Sequence, residues 1–338
     1  MSSASVPRRT FLAGLGALGV AGLVGCNASA GGVEPGAEAS PTAAGSFSYT
    51  DARGTVVEFA LPASAVVAQS SAAATLLDFG YQVAGAYGDL KPIDGKLSYQ
   101  AGDLDPSTIT VLSDVYGQFD VEKFAAMNPQ VLIDLMFVQN QLWYLPDDLQ
   151  AKVEKVSPTI GMEMLNLNLL QIIENFAALA AKLGADITGP AVTDAKADFE
   201  AAVAKVKAAV AAKPDLTVLG ISRSADKIWI ANPAQHPDFA YLETLGVTFV
   251  DAKVADPSLY FNELSYERID EFSGDVIFDD SRGGVIPAAD KQPTWQALPA
   301  VKAGQVHAWK PAAPYSYRAN APIFTEFADA LSNATKVS

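Results

Sequence analysis

From about residue 65 to the last residue, short apolar runs alternate with longer stretches whose apolar positions recur every three or four residues. The runs AVVAQ (65–69), QVAGAY (82–87), TITVLS (108–113) and QVLIDLM (130–136) occupy the first half. LTVLGIS (216–222), VTFVDA (247–252), DVIFDD (275–280) and QVHAW (305–309) occupy the second. Runs this apolar suit strands buried on both faces, and helical patterns between most of them imply parallel strands sandwiched by helices. The pattern predicts an α/β chain of two Rossmann-like lobes, each built on a parallel-rich sheet. Residues 165–184 contain neither Pro nor Gly until Gly184 and read as one long helix joining the lobes. Beyond it, Phe199, Val203, Val206 and Val210 stripe one face of a second helix, a pattern that belongs to core packing.

The two halves repeat. VEKFAAMNPQVLID (121–134) aligns without a gap on YERIDEFSGDVIFD (266–279), placing Glu122 on Glu267 and Phe124 on Ile269. Each copy predicts a short helix, a break, and a buried strand. Upstream, LLDFGYQV (76–83) matches LETLGVTF (242–249), each closing a helix at Gly80 or Gly246. The spacing from that glycine to the glutamate is longer in the first copy, which puts an insertion at residues 88–107, with Tyr99 and Pro106. That insertion covers one side of a cleft or is a solvated loop.

The beginning of the chain follows neither pattern. Arg8-Arg9 precede Phe11-Leu12 and about fifteen weakly apolar residues, fewer than the ~20 of a membrane-spanning helix. Residues 1–25 read as an export signal that resembles the twin-arginine type, and Leu23-Val24-Gly25-Cys26 resembles a lipobox. The only cysteine, Cys26, is then the lipidation site. Residues 26–46, rich in Ala, Gly, Ser and Pro, read as a flexible tether. The N-terminal lobe is expected over 47–164, the interlobe helix over 165–184 and the C-terminal lobe over 185–338.

Half of the residues are apolar and 18% are charged, which fits a globular body of two domains. Loss of Arg8 and Arg9 with the signal takes the formal charge from −15 to −17, so nucleic acid is not an expected partner. The expected location is the outer face of the cytoplasmic membrane, on a lipid anchor.

Two α/β lobes facing one another across a cleft form a binding architecture. From about residue 47 onward the chain resembles the helix-backbone (class III) substrate-binding lipoproteins of ATP-driven importers, which bind ferric siderophores, cobalamin and haem. The resemblance rests on the signal with its lipobox, on the Glu-x-[Phe/Ile]-x-x-[Met/Phe] pattern followed by a buried strand in each lobe, and on TWQALPAVKAGQVHAW (294–309), which is similar to the siderophore branch. It implies capture of a ferric siderophore for an ABC permease by a monomeric protein without a cofactor of its own, the iron arriving in its chelator. Cobalamin and haem are the alternatives. It also implies that Glu122 and Glu267 meet arginines of the permease; each is equally an acid well placed at a helix start.

Residues just beyond strand ends are the expected cleft contacts. In the first lobe these are Ser70, Ser71, Tyr87, Tyr116, Phe119, Phe137, Gln139, Trp143 and Tyr144; in the second, Arg223, Arg282, Trp309, Tyr315, Tyr317 and Arg318. Aromatic faces and guanidinium groups suit a large, partly apolar chelate. The three arginines favour an anionic complex, whereas the acidic body and the tyrosines admit a neutral or cationic one, and the slight lean is to hydroxamates.

Direct metal capture lacks ligands, since only His236 and His307 exist and His307 reads as a core residue of its strand. A surface enzyme or sensor is the competing class. For the enzyme, GISRS (220–224) lacks the last glycine of a nucleophile elbow, and Asp279-Asp280, adjacent in a strand, face opposite ways and cannot flank one bond.

Overall fold

The computed structural model describes residues 45–92, 95–284 and 286–338. The expected export signal, Cys26 and nearly all of the tether lie outside the described residues. The chain first forms an antiparallel pair, β1 (Ser46–Thr50) and β2 (Val56–Ala60). It then builds a sheet from β3 (Val66–Gln69), β4 (Gly85–Tyr87), β5 (Thr110–Ser113), β6 (Val131–Met136) and β7 (Thr159–Glu163). Their order is β5-β4-β3-β6-β7 and every pairing is parallel. Helices α1 (Ser70–Asp78), α2 (Val121–Ala126) and α3 (Asp147–Val153) are the crossovers. All six residues of β6 are buried, as a central strand covered on both faces requires. Its one acid, Asp134, accepts a hydrogen bond from Tyr87 Oη at 2.5 Å, and burial pushes its carboxyl well above the usual range.

Two helices follow, α4 (Leu169–Lys182) and α5 (Pro190–Ala212). The helix expected over 165–184 starts later because Asn166 takes a positive φ of 56° and Asn168 caps the first turn in a reciprocal box with Gln171. α4 packs on α1 and β1 of the first lobe and on α6 (Pro237–Thr244) of the second. At 23 residues α5 is the longer of the two, about 35 Å.

The second sheet contains β8 (Thr217–Arg223), β9 (Lys227–Ala231), β10 (Thr248–Phe249), β11 (Phe261–Ser265), β12 (Val276–Asp280) and β13 (Val306–Trp309). β8, β12 and β13 run parallel in that spatial order, while β9 and β11 are antiparallel additions at the β8 edge. The strand expected over 247–252 is therefore short: β9 turns back from β8 and takes the edge that a longer β10 would have used. The short helices α7 (Pro287–Asp290), α8 (Pro293–Ala297) and α9 (Pro299–Lys302) precede β13, and α10 (Tyr317–Asn333) ends the fold.

The sequence repeat survives in the fold. Phe124 and Ile269 are both fully buried, and Gly80 (φ 89°) and Gly246 (φ 96°) close α1 and α6 in the left-handed region that side chains avoid. The second copy's short helix is a 3₁₀ turn at Tyr266–Glu271. The stripe of α5 packs as expected, with Phe199 against Phe324 of α10 at 5.2 Å. One apolar core runs from Ile133 of the first sheet through Phe176 of α4 and Phe199 to Phe278 of the second.

Asp275 ties β12 to its surroundings. Its buried carboxylate accepts from Thr217 N at 2.9 Å, Val337 N at 2.7 Å and Ser338 N at 2.8 Å. Burial pushes its pKa up, but the backbone donors of Val337, Ser338 and Thr217 outweigh burial and hold it below the usual range. A carboxyl with a depressed folded pKa stabilises above its unfolded value and loses that contribution as pH falls. Asp275→Ala is expected to cost about 2 kcal/mol at neutral pH. The gap from wild type should narrow on acidification below pH ~4, as measured by urea denaturation across pH.

Candidate ligand-binding cleft

The lobes face one another over a cavity of about 400 Å³. The first lobe lines it from the loop after β5, with Tyr116, and from the loop after β6, with Phe137, Gln141, Trp143 and Tyr144. The loop after β6 is folded tightly: Trp143 N donates to Leu135 O at 2.9 Å, and Tyr144 sits at φ 71°, an uncommon position for a side-chain-bearing residue. The second lobe contributes His236 and Asp238 at the start of α6, Tyr260 before β11, Arg282 in the turn after β12, and the stretch from Lys310 to Ala313 after β13. Ala312 of that stretch is also in the left-handed region, at φ 56°.

Aromatic rings link the two walls without a gap. Tyr116 meets Tyr144 at 5.5 Å, Tyr144 meets Trp143 at 5.0 Å, and Trp143 meets Phe137 at 4.9 Å. The run then crosses between lobes, from Phe137 to Tyr260 at 6.4 Å, and continues to His236 at 5.4 Å and Trp309 at 4.7 Å. The crossing is fixed by Tyr260 Oη, which donates to Phe137 O at 2.6 Å. Five more hydrogen bonds span the lobes: Tyr99 Oη to Pro311 O (2.8 Å), Gln100 Nε2 to the same oxygen (3.5 Å), Ser71 Oγ to Ala312 O (2.8 Å), Tyr315 N to Thr75 Oγ1 (2.7 Å) and Ser316 Oγ to Asp78 Oδ2 (2.5 Å).

Burial sets the protonation of the walls. It pushes the phenols of Tyr144 and Tyr260 up to about 12, so both are hydroxyl donors at neutral pH. It pushes His236 down to about 3, leaving a neutral ring whose Nε2 lies 3.1 Å from the Tyr260 carbonyl. Since that carbonyl can only accept, Nε2 carries the proton. Arg282 is held by Asp280, with Nε 3.0 Å and Nη2 2.5 Å from Asp280 Oδ2, and Nη1 has no partner among the described residues. The site is a hydrophobic slot with a few positioned donors, suited to orienting a large ligand. No group of three or more His, Cys, Asp or Glu placed to hold a metal ion occurs among the described residues.

Of the expected contacts, Tyr116, Phe137, Trp143, Tyr144, Arg282 and Tyr315 line the cavity. The others do not, each for a local reason. Ser70 and Ser71 are fully buried, Ser70 Oγ accepting from Asp89 N and Ser71 Oγ donating to Ala312 O. Tyr87 and Phe119 pack edge to face in the first lobe's core, and Gln139 is exposed at the tip of the loop whose Gln141 faces inward. Arg223 is bound by Asp279 and Asp290 and lies over the Trp295 ring. Trp309 stands behind His236, and Tyr317 packs on Phe79 and Phe199. Arg318 is a surface residue paired with Asp103 at 2.8 Å. The set of three cleft arginines therefore reduces to Arg282.

His307, expected in the core, is half-buried beside Phe278 and lines a second cavity. Asp279 pairs with Arg223 and Asp280 with Arg282, so the adjacent acids face different partners. Sequence reasoning missed His236, Asp238, Tyr260 and Lys310. The first three flank the antiparallel strands β9 and β11, which the strand-end rule for parallel sheets does not reach. The insertion at 88–107 is partly core: Leu90, Ala101 and Leu104 are buried and Tyr99 reaches across to Pro311.

A family model described as periplasmic binding protein matches residues 74–313. Among solved structures, the chain is similar to DesE, a ferric-siderophore receptor protein from Streptomyces coelicolor, at 39% identity over 86% of this chain and 100% of that one, with a TM-score of 0.81. It shares its fold with the siderophore periplasmic binding protein of the fuscachelin gene cluster of Thermobifida fusca (24% identity, 80% and 97% covered, TM-score 0.57). The fold is also that of FhuD2 from Staphylococcus aureus with bound ferrioxamine B (18%, 79% and 98%, TM-score 0.55). No curated protein sequence matches at a significant level. With its two-lobed α/β fold and with the family model spanning most of its length, the chain belongs to the periplasmic binding protein family.

Proposed function

We propose that this protein captures a ferric siderophore of hydroxamate type outside the cytoplasmic membrane and delivers it to an ABC permease for iron uptake. The observation that carries the reading is the aromatic run across the cavity, with Arg282 and the Tyr144 hydroxyl as donors, the Tyr260 proton being held by Phe137 O. Rings pack on the apolar linkers of a chelator, and guanidinium and hydroxyl groups bond the oxygens around the metal. The likeness to the Streptomyces coelicolor receptor supports the ligand class, and ferrioxamine B in the Staphylococcus aureus structure supports the hydroxamate choice.

Export on the Arg8-Arg9 signal, anchoring through an acylated Cys26, a tether over 26–46 and a monomeric body complete the reading. So does docking through Glu122 and Glu267, both exposed at matched turns of the two lobes. The unbroken core through α4, α5 and α10, with six hydrogen bonds between the lobes, supports a stiff hinge that closes only modestly on its ligand. A rotation of some tens of degrees between crystals with and without ligand would overturn the stiff hinge.

Titration of the purified chain with ferric hydroxamate, catecholate and citrate-type siderophores, haem and cobalamin tests the assignment by tryptophan fluorescence. Submicromolar quenching by a ferric hydroxamate is expected. Of the four tryptophans only Trp143 lines the cavity, so Trp143→Phe should remove most of the signal while binding persists by an iron-retention assay. Silence toward every ferric siderophore would sink the reading.

A further inference from the structure

Three charged side chains line the cavity: Asp238, Arg282 and Lys310. Both cations bring their own counter-ion, Arg282 with Asp280 at 2.5 Å and Lys310 with Glu326 at 2.7 Å. Asp238 has none: its Oδ2 accepts from Trp309 Nε1 at 2.6 Å, and among the described residues no cation lies within ion-pair distance. Two positive charges against three carboxylates leave the site with one unmatched negative charge. The first lobe adds no charged lining residue. A second cavity, about 350 Å³, shares Asp238 and Lys310 and is also lined by Glu326 and Asp329, with no further lysine or arginine among its described lining residues. Electrostatically the site is therefore matched to a complex that is neutral at its metal centre and positive on an arm. A ferric trishydroxamate meets the first condition, because three hydroxamate anions balance ferric iron. A ferric tris-catecholate does not.

We infer that Asp238 is a specificity-determining residue that pairs with an ammonium group on a pendant arm of the siderophore, so that the cavity selects cationic ferric complexes over anionic ones. The inference rests on the siderophore reading and names the charge class within it. Burial pushes the Asp238 carboxyl up to about 6, against the hydrogen bond from Trp309 and the positive charge of Arg282. Lys310 shares both cavities with Asp238, and Glu326 and Asp329 share the second; Tyr99 and Tyr315 near it are neutral at physiological pH because burial raises both, and His236 is neutral because burial lowers it. A bound ammonium would hold Asp238 ionised, so selection for the cation is present above pH ~6 and lost as pH falls below it.

The test compares a linear ferric trishydroxamate carrying one terminal primary amine with the same complex acetylated at that amine, titrated into the full chain. Wild type is expected to bind the amine form about tenfold more tightly at pH 7.5, and the preference should shrink toward pH 5. Asp238→Asn is expected to lose that tenfold for the amine form and to leave the acetylated form within about twofold. The wild-type comparison and its pH profile need no variant and so stand even if Asp238→Asn folds poorly. Equal affinity of the two forms for wild type, or a preference retained by Asp238→Asn, overturns the role of Asp238 and leaves the siderophore reading in place. Failure of both forms and of every other ferric siderophore to bind overturns that reading, and this inference with it.

Discussion

A chain carrying both Glu122→Ala and Glu267→Ala is expected to bind its siderophore within about twofold of wild type and to support almost no iron uptake. Each carboxylate is exposed at the first turn of a short helix, whereas the residue two positions on, Phe124 or Ile269, is fully buried and anchors that turn. Truncating the acid therefore leaves packing untouched, and neither position lines the cavity. On the docking proposed above, what is lost is a pair of charges, one on each lobe, that a basic partner would read together. Each single substitution should give a partial loss, because one contact still steers encounter while two fix the register. Radiolabelled iron uptake alongside the fluorescence titration measures both quantities. Normal uptake by the double variant would show that the acids merely favour their helix starts.

Arg282→Ala should weaken ferric-siderophore binding roughly a hundredfold, equivalent to about 2–3 kcal/mol for a charge-assisted contact. Asp280 grips the guanidinium through Nε and Nη2, which fixes the side chain before any ligand arrives. Asp280 is nearly inaccessible, so removing Arg282 also strands a buried carboxylate and should lower thermal stability. Arg282→Lys separates the effects. It keeps a positive charge beside Asp280, and hence most of the stability, but loses the planar fork, and should recover little of the affinity. Unchanged affinity in Arg282→Ala would remove Arg282 from the ligand contacts.

The repeat carried a large part of the fold in plain view. Gapless alignment of 121–134 on 266–279 placed β6 and β12 in matching lobes, and glycines 80 and 246 marked matching helix ends, all from local signals that need no partner to be read. The antiparallel strands were less visible. KIWIA and FNELS become β9 and β11 only because a hairpin from β8 finds an open sheet edge, which is a property of the assembled sheet. Cleft residues divided the same way. The loop after β6 announced Phe137, Trp143 and Tyr144 by composition and by following a buried strand. Arg223, Arg282 and Arg318 look alike in sequence, and their surroundings separated them: Asp279 and Asp290 take the first, Asp103 the third, and only the second reaches the cavity.

By itself the sequence determined the α/β class, the two-lobe plan and the positions of the repeated turns. Apolar periodicity, helix-closing glycines and buried runs are set by neighbours a few residues away, whatever the rest of the chain does. Tertiary structure alone decided which polar groups stay unpaired. The net charge of the cavity depends on Glu326 of α10 reaching Lys310 and on no cation among the described residues reaching Asp238, and Coulomb energy follows distance in space, not separation along the chain.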